Sequence, residues 1–331
     1  MIRDRLATAI GKDARRRLRL LASVVLLGAC GVYLVRRIDP HALGAALARA
    51  DYRLVALMAA GHLGVLLTLK AWRWQRMLEP IRRLPIAKLY RYCLAGCALS
   101  NLLPARAGHA MRVVLVRGDG VPVAGAVSVL LLEEICNAVV LGLLCVPLPF
   151  LVQLPRRVNA TLALVTVGAA IAVGILAWLA ITGRARSGPL RRLSDGLAVL
   201  RRGRDAGSVF ALTTAMWLLD LGQIVLAQAA VGMRPSFAGA ALVLLFVNLT
   251  NALPATPGQV GLFEAAATAA CVLVGAPPEQ GLAVGVLYHM MQFIPETVLG
   301  LAVLGRGALG RAKLAQGQVE LARERERVET P

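Results

Sequence analysis

The sequence predicts an all-α polytopic membrane protein with about six full transmembrane helices, plus two broken or re-entrant helical segments in two inverted-topology repeats. Composition is the first observation: hydrophobic residues make up 58% of the 331 residues and charged residues only 17%, whereas soluble domains average about 25% charged residues. Length is the second, because the apolar residues form blocks close to the ~20 residues that cross a bilayer. The blocks are Leu20–Val35, Leu54–Leu69, Ile135–Leu154, Ala160–Ile181, Val209–Val231 and Gly281–Leu304.

The basic residues predict the orientation of these spans. If the N-terminus is cytoplasmic, most of the 37 Lys and Arg residues fall in segments on the cytoplasmic side, as is typical of inner loops. We therefore predict a bacterial cytoplasmic-membrane protein with both termini in the cytoplasm. The predicted regions are a basic N-terminus at 1–19, a first membrane half at 20–181, a basic linker at 182–208, a second membrane half at 209–304 and a cytoplasmic tail at 305–331.

The net charge of +19 indicates membrane lipids rather than nucleic acid as partners. The cations stand in short segments between apolar blocks, where they contact anionic headgroups, and no aromatic residues interleave with them to stack bases. The six cysteines lie inside apolar blocks without metal-ligand spacing, so we expect no metal and no cofactor. Leu26–Cys30 is similar to a lipoprotein cleavage site, but the long basic region before it and the spans after it favour an uncleaved first span.

An eight-residue pattern with helix-breaking Pro and Gly occurs twice. Asn-x-Leu-Pro-Ala-x-x-Gly reads NLLPARAG at 101–108 and NALPATPG at 251–258. It interrupts the modest apolar segments 92–118 and 237–275, which are the segments that we predict to be broken or re-entrant. The predicted spans between the copies are 123–152, 160–181 and 209–231.

Because three spans separate the copies, the two copies approach the membrane from opposite sides. Paired Gly/Pro interruptions in corresponding halves are typical of a transporter's substrate site. Two alternatives stay open: a chance match in a chain rich in Leu and Ala, and two short helices over 123–152, which would remove the parity argument but not the repeat.

Positive charge accompanies the first break. A helix that starts or ends at such a break leaves backbone N–H or C=O groups unpaired, and helix N-termini bind phosphate. Arg106 and Arg112 add full charges there, and arginine binds phosphate in bidentate fashion. His109 lies between them, and histidine titrates near neutral pH. We predict an anionic headgroup site; the alternative is that these arginines, with Arg117, are interface residues that contact lipid phosphates nonspecifically.

Acidic residues inside apolar blocks are the second set of candidates. An ionisable group at mid-membrane costs about 2.5–3.5 kcal/mol and faces a cavity or a partner. We expect Arg106 or Arg112 to pair with Glu264, a carboxyl group that is also able to keep its proton and serve in proton coupling. For Glu133 and Glu134, an interfacial helix end is the alternative.

The later spans add further polar groups. Tyr288, His289, Gln292 and Glu296 fall on a similar face of the last span, which predicts a polar stripe turned inward. Asp220 is an isolated carboxylate in its own apolar block. His62 is predicted to be a packed, hydrogen-bonded histidine.

Two longer motifs contain these breaks, NLLPARAGHAMR and PGQVGLFE. They resemble the motifs N-x-x-L-P-x-R-x-G-E-x-x-R and P-G-G-x-G-x-x-E of the transmembrane region of lysylphosphatidylglycerol synthases and their stand-alone flippase-like relatives. The resemblance covers most of the chain, and it implies lipid translocation. Since no synthase domain follows residue 305, it implies translocation without aminoacyl-lipid synthesis. The matching residues are Pro104, Arg106, Gly108, Arg112, Pro257, Gly258, Gly261 and Glu264.

Three positions depart from the family pattern. His109 stands where the family has Glu, Gln259 where it has Gly, and His289 follows Tyr288 where Arg is common. The loss of that Glu and that Arg implies an altered internal charge pair and a different lipid.

We therefore predict a lipid translocator that moves a polar, anionic or phosphate-bearing lipid by rocking of one half against the other around the two breaks. No catalytic motif is recognisable. The alternatives are a membrane-embedded enzyme with His109 or Glu264 as general acid–base, and a non-catalytic partner subunit of a lipid- or glycan-synthesis complex. The predicted substrate-binding residues are Asn101, Pro104, Arg106, Gly108, His109, Arg112, Asn251, Pro254, Pro257, Gly258, Gly261 and Glu264. The predicted proton or charge-pair residues are Glu133, Glu134, Asp220, Tyr288, His289 and Glu296.

Overall fold

The computed structural model describes residues 39–103, 107–152, 203–250 and 257–329, together with 155–156, 158–160, 163–164, 167–168 and 171. The regular secondary structure of these residues is helical throughout, in agreement with the predicted class. In chain order the helices are α1 (Pro40–Ala48), α2 (Tyr52–Leu78), α3 (Ile86–Leu102), α4 (Ala107–Gly118), α5 (Val123–Cys145), α6 (Leu148–Leu151), α7 (Gly203–Ala230), α8 (Phe237–Leu249), α9 (Leu262–Leu273) and α10 (Pro278–Glu329).

Four stretches of these helices are long and apolar enough to cross a membrane, and they coincide with four of the six predicted blocks. They are Tyr52–Leu78, Val123–Leu151, Asp205–Ala230 and Pro278–Arg306. Helix α5 is continuous from Val123 to Cys145, so 123–152 is one long helix with a short last turn and not two short helices. The predicted span Leu20–Val35, most of Ala160–Ile181 and linker residues 182–202 lie outside the described residues.

Helix α2 contains a π-helical turn at His62–Leu66. Its N-terminus is fixed by Asp51, whose carboxylate accepts a hydrogen bond from the Arg53 backbone N–H at 2.9 Å. A π-turn leaves a backbone carbonyl without its usual helical partner, and the Tyr90 hydroxyl of α3 donates to the Leu63 carbonyl at 2.7 Å. Such turns are frequent at functional sites.

Helices α3 and α4 form the first hairpin. At its open end, Lys88 and Tyr92 of α3 both hydrogen-bond to Asp119, which follows α4. Near its turn, the two backbones touch: a Cβ placed at Gly108 would overlap the Gly96 carbonyl. Only glycine allows this approach, which explains why the glycine of the first eight-residue pattern stands there.

Helices α8 and α9 form the second hairpin. At its open end, a Cβ placed at Gly239 would lie 3.4 Å from the Val274 side chain. Its turn includes Gly258, which adopts a left-handed backbone conformation with φ 63°. A Cβ placed at Gly258 would lie 3.0 Å from the Asn101 carbonyl oxygen and would overlap the Phe293 ring. The turn of the second hairpin therefore touches the end of α3 in the first.

Helix α10 packs along both hairpins. A Cβ placed at its Gly285 would lie 3.3 Å from the Glu264 Cα of α9, and one at Gly300 would lie 2.6 Å from the Ala98 Cβ of α3. Pro295 lies inside the helix between these two contacts. Proline in a helix interior removes one backbone hydrogen bond and bends the helix.

The buried apolar side chains form two clusters. The first joins the C-terminal half of α2 to α3, α4 and the first half of α5, with Trp74 and Leu132 fully buried. The second joins the N-terminal half of α2 to α7, α8, α9 and the first half of α10, with Ile224 and Leu242 fully buried. Along α2, the polar residues His62 and Lys70 separate the two clusters.

Candidate functional site

A buried ion triad joins three helices of the first half. The Glu133 carboxylate of α5 accepts from Arg73 of α2 at 2.8 Å through one oxygen, and from Arg112 of α4 at 2.7 Å through the other. The three side chains are 1–5% exposed. Two guanidinium groups share one carboxylate, so the triad has one surplus positive charge.

Polar and aromatic contacts complete the triad. Arg73 also donates to Asn137 at 2.7 Å and to the Thr213 hydroxyl at 3.1 Å, which ties α7 to the same point. The Arg112 guanidinium lies over the Trp74 ring, 4.1 Å from its centroid, an arrangement that favours a cation. The interior position of Glu133 excludes the alternative of an exposed helix end for this residue.

The pairing of Glu264 with Arg106 or Arg112 was expected, and for Arg112 it is wrong, whereas Arg106 lies outside the described residues. Arg112 reaches Glu133, which lies on the neighbouring helix α5. Glu264 instead serves its own helix: its Oε2 accepts from the Gly261 backbone N–H at 2.7 Å, and its Oε1 contacts His289 Nδ1 of α10 at 2.7 Å. A carboxylate in the first turn compensates the positive end of a helix, so Glu264 is already satisfied within the second half.

His289 anchors the second hairpin to α10. Its ring stacks on Phe263 at a centroid distance of 4.3 Å, and the imidazole is buried. Tyr288 is buried too, and its hydroxyl donates to Asp220 of α7 at 3.2 Å. The predicted inward direction of the polar stripe on the last span is therefore confirmed for these residues and for buried Glu296.

A second histidine–carboxylate pair joins α2 to α10. His62 Nε2 lies 2.9 Å from Glu296 Oε1 in the interior, which agrees with the prediction of a hydrogen-bonded histidine. His62 belongs to the π-turn of α2. At the next residue of α10, the Thr297 hydroxyl accepts from the Asn101 side-chain amide at 3.0 Å, so the end of α3 is held at the same level.

Lys70 is a half-buried cation on α2, and sequence reasoning did not single it out. In the described part of the chain it has neither a hydrogen bond nor an ion pair, although the Glu296 and Glu133 carboxylates and the Cys97 thiol lie within electrostatic reach. Arg73 was not singled out either, because it follows the apolar block Leu54–Leu69, and basic residues after such a block are typical of a cytoplasmic loop. The signal was present: Lys70 and Arg73 are three residues apart in an apolar helix and therefore share a face.

The remaining predicted residues are distributed around these groups. His109 lies 3.8 Å from Glu134, and both are partly exposed. Gln259 adopts a left-handed conformation with φ 56° where the family resemblance leads one to expect Gly, and the Thr250 hydroxyl donates to its side-chain oxygen at 2.7 Å. Four predicted site residues lie outside the described residues: Pro104, Arg106, Asn251 and Pro254.

The described residues contain no cluster of three His, Cys, Asp or Glu side chains able to hold a metal ion. What the arrangement offers is charge. Two arginine cations contact Glu133, and histidine–carboxylate contacts lie at both ends of the polar stripe on α10.

Comparison with known proteins identifies relatives of the whole membrane region. The family model described as the lysylphosphatidylglycerol synthase transmembrane region matches residues 20–300 of this sequence. A protein of Methanothermobacter thermautotrophicus described as a UPF0104 membrane protein is 21% identical over 315 residues, which covers 87% of this chain and 92% of that protein.

Proposed function

Because the chain belongs to the lysylphosphatidylglycerol synthase transmembrane-region family, we propose that this multi-pass membrane protein is a lipid translocator. It moves a polar, anionic or phosphate-bearing lipid between the leaflets of a bacterial cytoplasmic membrane, with both of its termini in the cytoplasm. The lipid leaves chemically unchanged. The orientation is supported by the concentration of Lys and Arg in alternate segments of the chain.

In this proposal the α3–α4 and α8–α9 hairpins are re-entrant segments that enter from opposite faces as inverted repeats. Each hairpin consists of two short helices whose open ends touch. Interrupted backbone at membrane depth is tolerated only where it is buried in protein or lines a cavity. Discontinuous helices that meet in this way build the substrate sites of many transporters.

One observation carries the proposal: the turn of the second hairpin touches the end of α3, close to a buried triad with a surplus positive charge. Arg112 of that triad also packs against Gly96 of the first hairpin. A desolvated guanidinium is suited to phosphate because its donors match the phosphate oxygens in pairs. A charged headgroup passing the hairpin turns would thus meet a counter-charge inside the protein.

The test is leaflet exchange in reconstituted vesicles. Purified protein is placed in vesicles that contain a fluorescent phosphatidylglycerol, and a membrane-impermeant reductant reports the lipid that reaches the outer leaflet. We expect the protein to accelerate exchange, and Arg106→Ala to slow it by about tenfold or more, the effect of losing one charge-assisted hydrogen bond. Arg117→Ala, at the far and exposed end of α4, is the matched control.

Exchange at the wild-type rate in Arg106→Ala would contradict the predicted role of Arg106 in headgroup binding, and no acceleration by the wild-type protein would contradict the function. Mass spectrometry of the recovered lipid separates transport from chemistry, since a covalently altered lipid would favour the enzyme alternative instead.

A further inference from the structure

Three buried side chains at the ion triad each have an N–H group without a hydrogen-bond acceptor among the described residues. The three nitrogens are Arg73 Nε and Trp74 Nε1 of α2 and Arg112 Nε of α4. None of these residues is more than 4% exposed. A buried indole or guanidinium N–H usually has an acceptor, and an unsatisfied one points to water or an ion. Three such donors around one carboxylate therefore indicate a ligand.

Direct contacts bring the three donors together. Trp74 follows Arg73 on α2, and the Arg112 guanidinium lies over the Trp74 ring, 4.1 Å from its centroid. Arg73 and Arg112 both bind Glu133 of α5, at 2.8 and 2.7 Å. The aliphatic stem of Arg112 packs against Gly96 of α3, where an added Cβ would lie 2.9 Å from the Arg112 Cγ. Four helices thus fix the position of the donors.

The charges of the triad do not balance. Two guanidinium groups bind the two oxygens of one carboxylate, so one positive charge remains. The other acceptors of Arg73 are neutral side chains of α5 and α7. A charge that is removed from water without a counter-charge is costly. The cluster therefore requires one negative charge in addition to hydrogen-bond acceptors.

The charged neighbours do not provide this negative charge. Glu134, next to Glu133 in the chain, contacts His109 at 3.8 Å, and both are partly exposed. Lys70 is half-buried one turn before Trp74 on α2, and it adds positive charge that water screens in part. Both neighbours leave the surplus charge of the triad in place.

We propose that Arg73, Trp74 and Arg112, together with Glu133, form a binding site for one small monovalent anion of the halide class. Guanidinium and indole N–H groups donate and never accept, so the ligand must be an acceptor. A single negative charge balances the surplus of the triad, whereas a water molecule satisfies the donors and leaves the charge. A divalent anion would reverse the net charge, and the burial of all four side chains favours a small ion.

Binding of this anion goes beyond lipid translocation and does not depend on it. A lipid phosphate diester has the same single charge, so a halide and a headgroup would exclude one another at the triad. The halide is then the counter-charge of the protein when no headgroup is bound.

The experiment measures the unfolding temperature of the detergent-purified protein in sodium gluconate, with chloride or bromide replacing gluconate at constant ionic strength. We expect a rise that saturates with halide concentration, as for a ligand that binds the folded state, and no comparable rise with sulfate. Trp74→Phe keeps the aromatic face beneath Arg112 and removes the N–H. The halide concentration for a half-maximal rise should increase about tenfold or more in this variant, the effect of losing one charge-assisted hydrogen bond.

Trp72→Phe is the matched control, because Trp72 lies on the same helix and is 39% exposed. It should show the halide dependence of wild type. Arg73→Gln removes the surplus charge and should abolish the saturable rise. If Arg73→Gln does not fold, the comparison of Trp74→Phe with Trp72→Phe decides.

A second measurement detects an anion that is held too tightly to exchange. Protein prepared in chloride and desalted into gluconate is denatured, and the released chloride is measured by ion chromatography. We expect an equimolar amount from wild type and Trp72→Phe, and less from Trp74→Phe.

Wild type with neither a saturable rise nor retained chloride would overturn the inference. The same follows if Trp74→Phe equals wild type in both measurements, or if sulfate produces an equal saturable rise. Lipid exchange enters neither measurement, so each of these outcomes leaves the proposed translocation intact.

Discussion

The two hairpins carry the same eight-residue pattern beside their turns, but different charges hold them in place. The first is fixed by Arg112, which shares Glu133 with Arg73. The second is fixed by Glu264, which contacts His289 and caps its own helix. Arginine keeps its charge at any physiological pH, whereas an imidazole is able to hydrogen-bond to a carboxylate without carrying a charge. The first half thus depends on buried arginine cations, and the second on a histidine–carboxylate hydrogen bond.

This difference predicts that the two halves respond differently to the loss of one charge. A permanent, fully desolvated triad is costly to disturb because each remaining member becomes an unpaired buried charge. A histidine–carboxylate hydrogen bond keeps a donor and an acceptor when the carboxylate is replaced by an amide, so it tolerates the loss of one charge better. The following substitutions test this contrast, from the largest expected effect to the smallest.

Glu133→Gln should be the most damaging change. It leaves Arg73 and Arg112 buried without a counter-charge, and removal of one partner from a buried ion pair costs about 3–5 kcal/mol. We expect little folded protein in the membrane and a markedly lower unfolding temperature by fluorescence-detected size exclusion. Glu134→Gln, at the partly exposed neighbouring position, should behave as wild type. A normal unfolding temperature in Glu133→Gln would contradict the idea that the first hairpin depends on the buried charges of the triad.

Gly258→Ala should be the next most damaging. Its left-handed backbone disfavours a Cβ by about 1–2 kcal/mol, and the added atom would also overlap Phe293 and crowd the Asn101 carbonyl. Gly232→Ala is the matched control, because Gly232 has a similar φ of 73° with open space around it. We expect both variants to lose thermal stability, Gly258→Ala by the greater amount, and only Gly258→Ala to slow lipid exchange. Equal losses would mean that the contact between the hairpins contributes nothing.

Glu264→Gln should cost about 1.5–3 kcal/mol, the range for a hydrogen bond to a charged group. The amide oxygen still accepts a hydrogen bond, so the contacts with Gly261 and His289 are weakened and not all lost. Thermal unfolding of this variant and of Glu133→Gln, measured side by side, gives the contrast directly. If Glu264→Gln were as destabilising as Glu133→Gln, the two halves would be equally dependent on charge.

Phe263→Leu should have the smallest effect, about 0.5–1.5 kcal/mol, because it removes the aromatic stack on His289 and keeps an apolar side chain. Phe237→Leu, on an exposed side chain at the start of α8, should leave the unfolding temperature unchanged. A shift of the same size in both variants would show that the stack on His289 does not stabilise the second hairpin.

The membrane spans could be predicted from sequence because length and apolar composition are local properties. Helices α2, α5, α7 and α10 follow apolar blocks, and the inward direction of Tyr288 and His289 follows from helical periodicity. The partners of charged residues are not local. Glu133 and Glu264 are both glutamates within apolar segments, so the sequence alone does not distinguish them as partners for Arg112. The packing of α4 against α5 decides that Arg112 contacts Glu133.

The same limit explains the missed residues. Arg73 lies near the end of an apolar run, so a count of charges placed it in a loop, whereas in the fold α2 continues for another turn and buries it. Gln259 stands where the family motif has a glycine, which predicts the loss of a left-handed backbone conformation at this position. The hydrogen bond from Thr250, nine residues earlier, supports the left-handed conformation in its place.

Helix α10 touches the second hairpin through Gly285 and the first through Gly300, and Pro295 lies between the two contacts. Each hairpin therefore packs on its own arm of α10, one arm on each side of Pro295. A change of helix angle at this proline would move one hairpin relative to the other and preserve the tight glycine contacts within each arm. In the proposed translocation cycle, such a motion would need no sliding of packed side chains past one another and would be confined to one point of the chain.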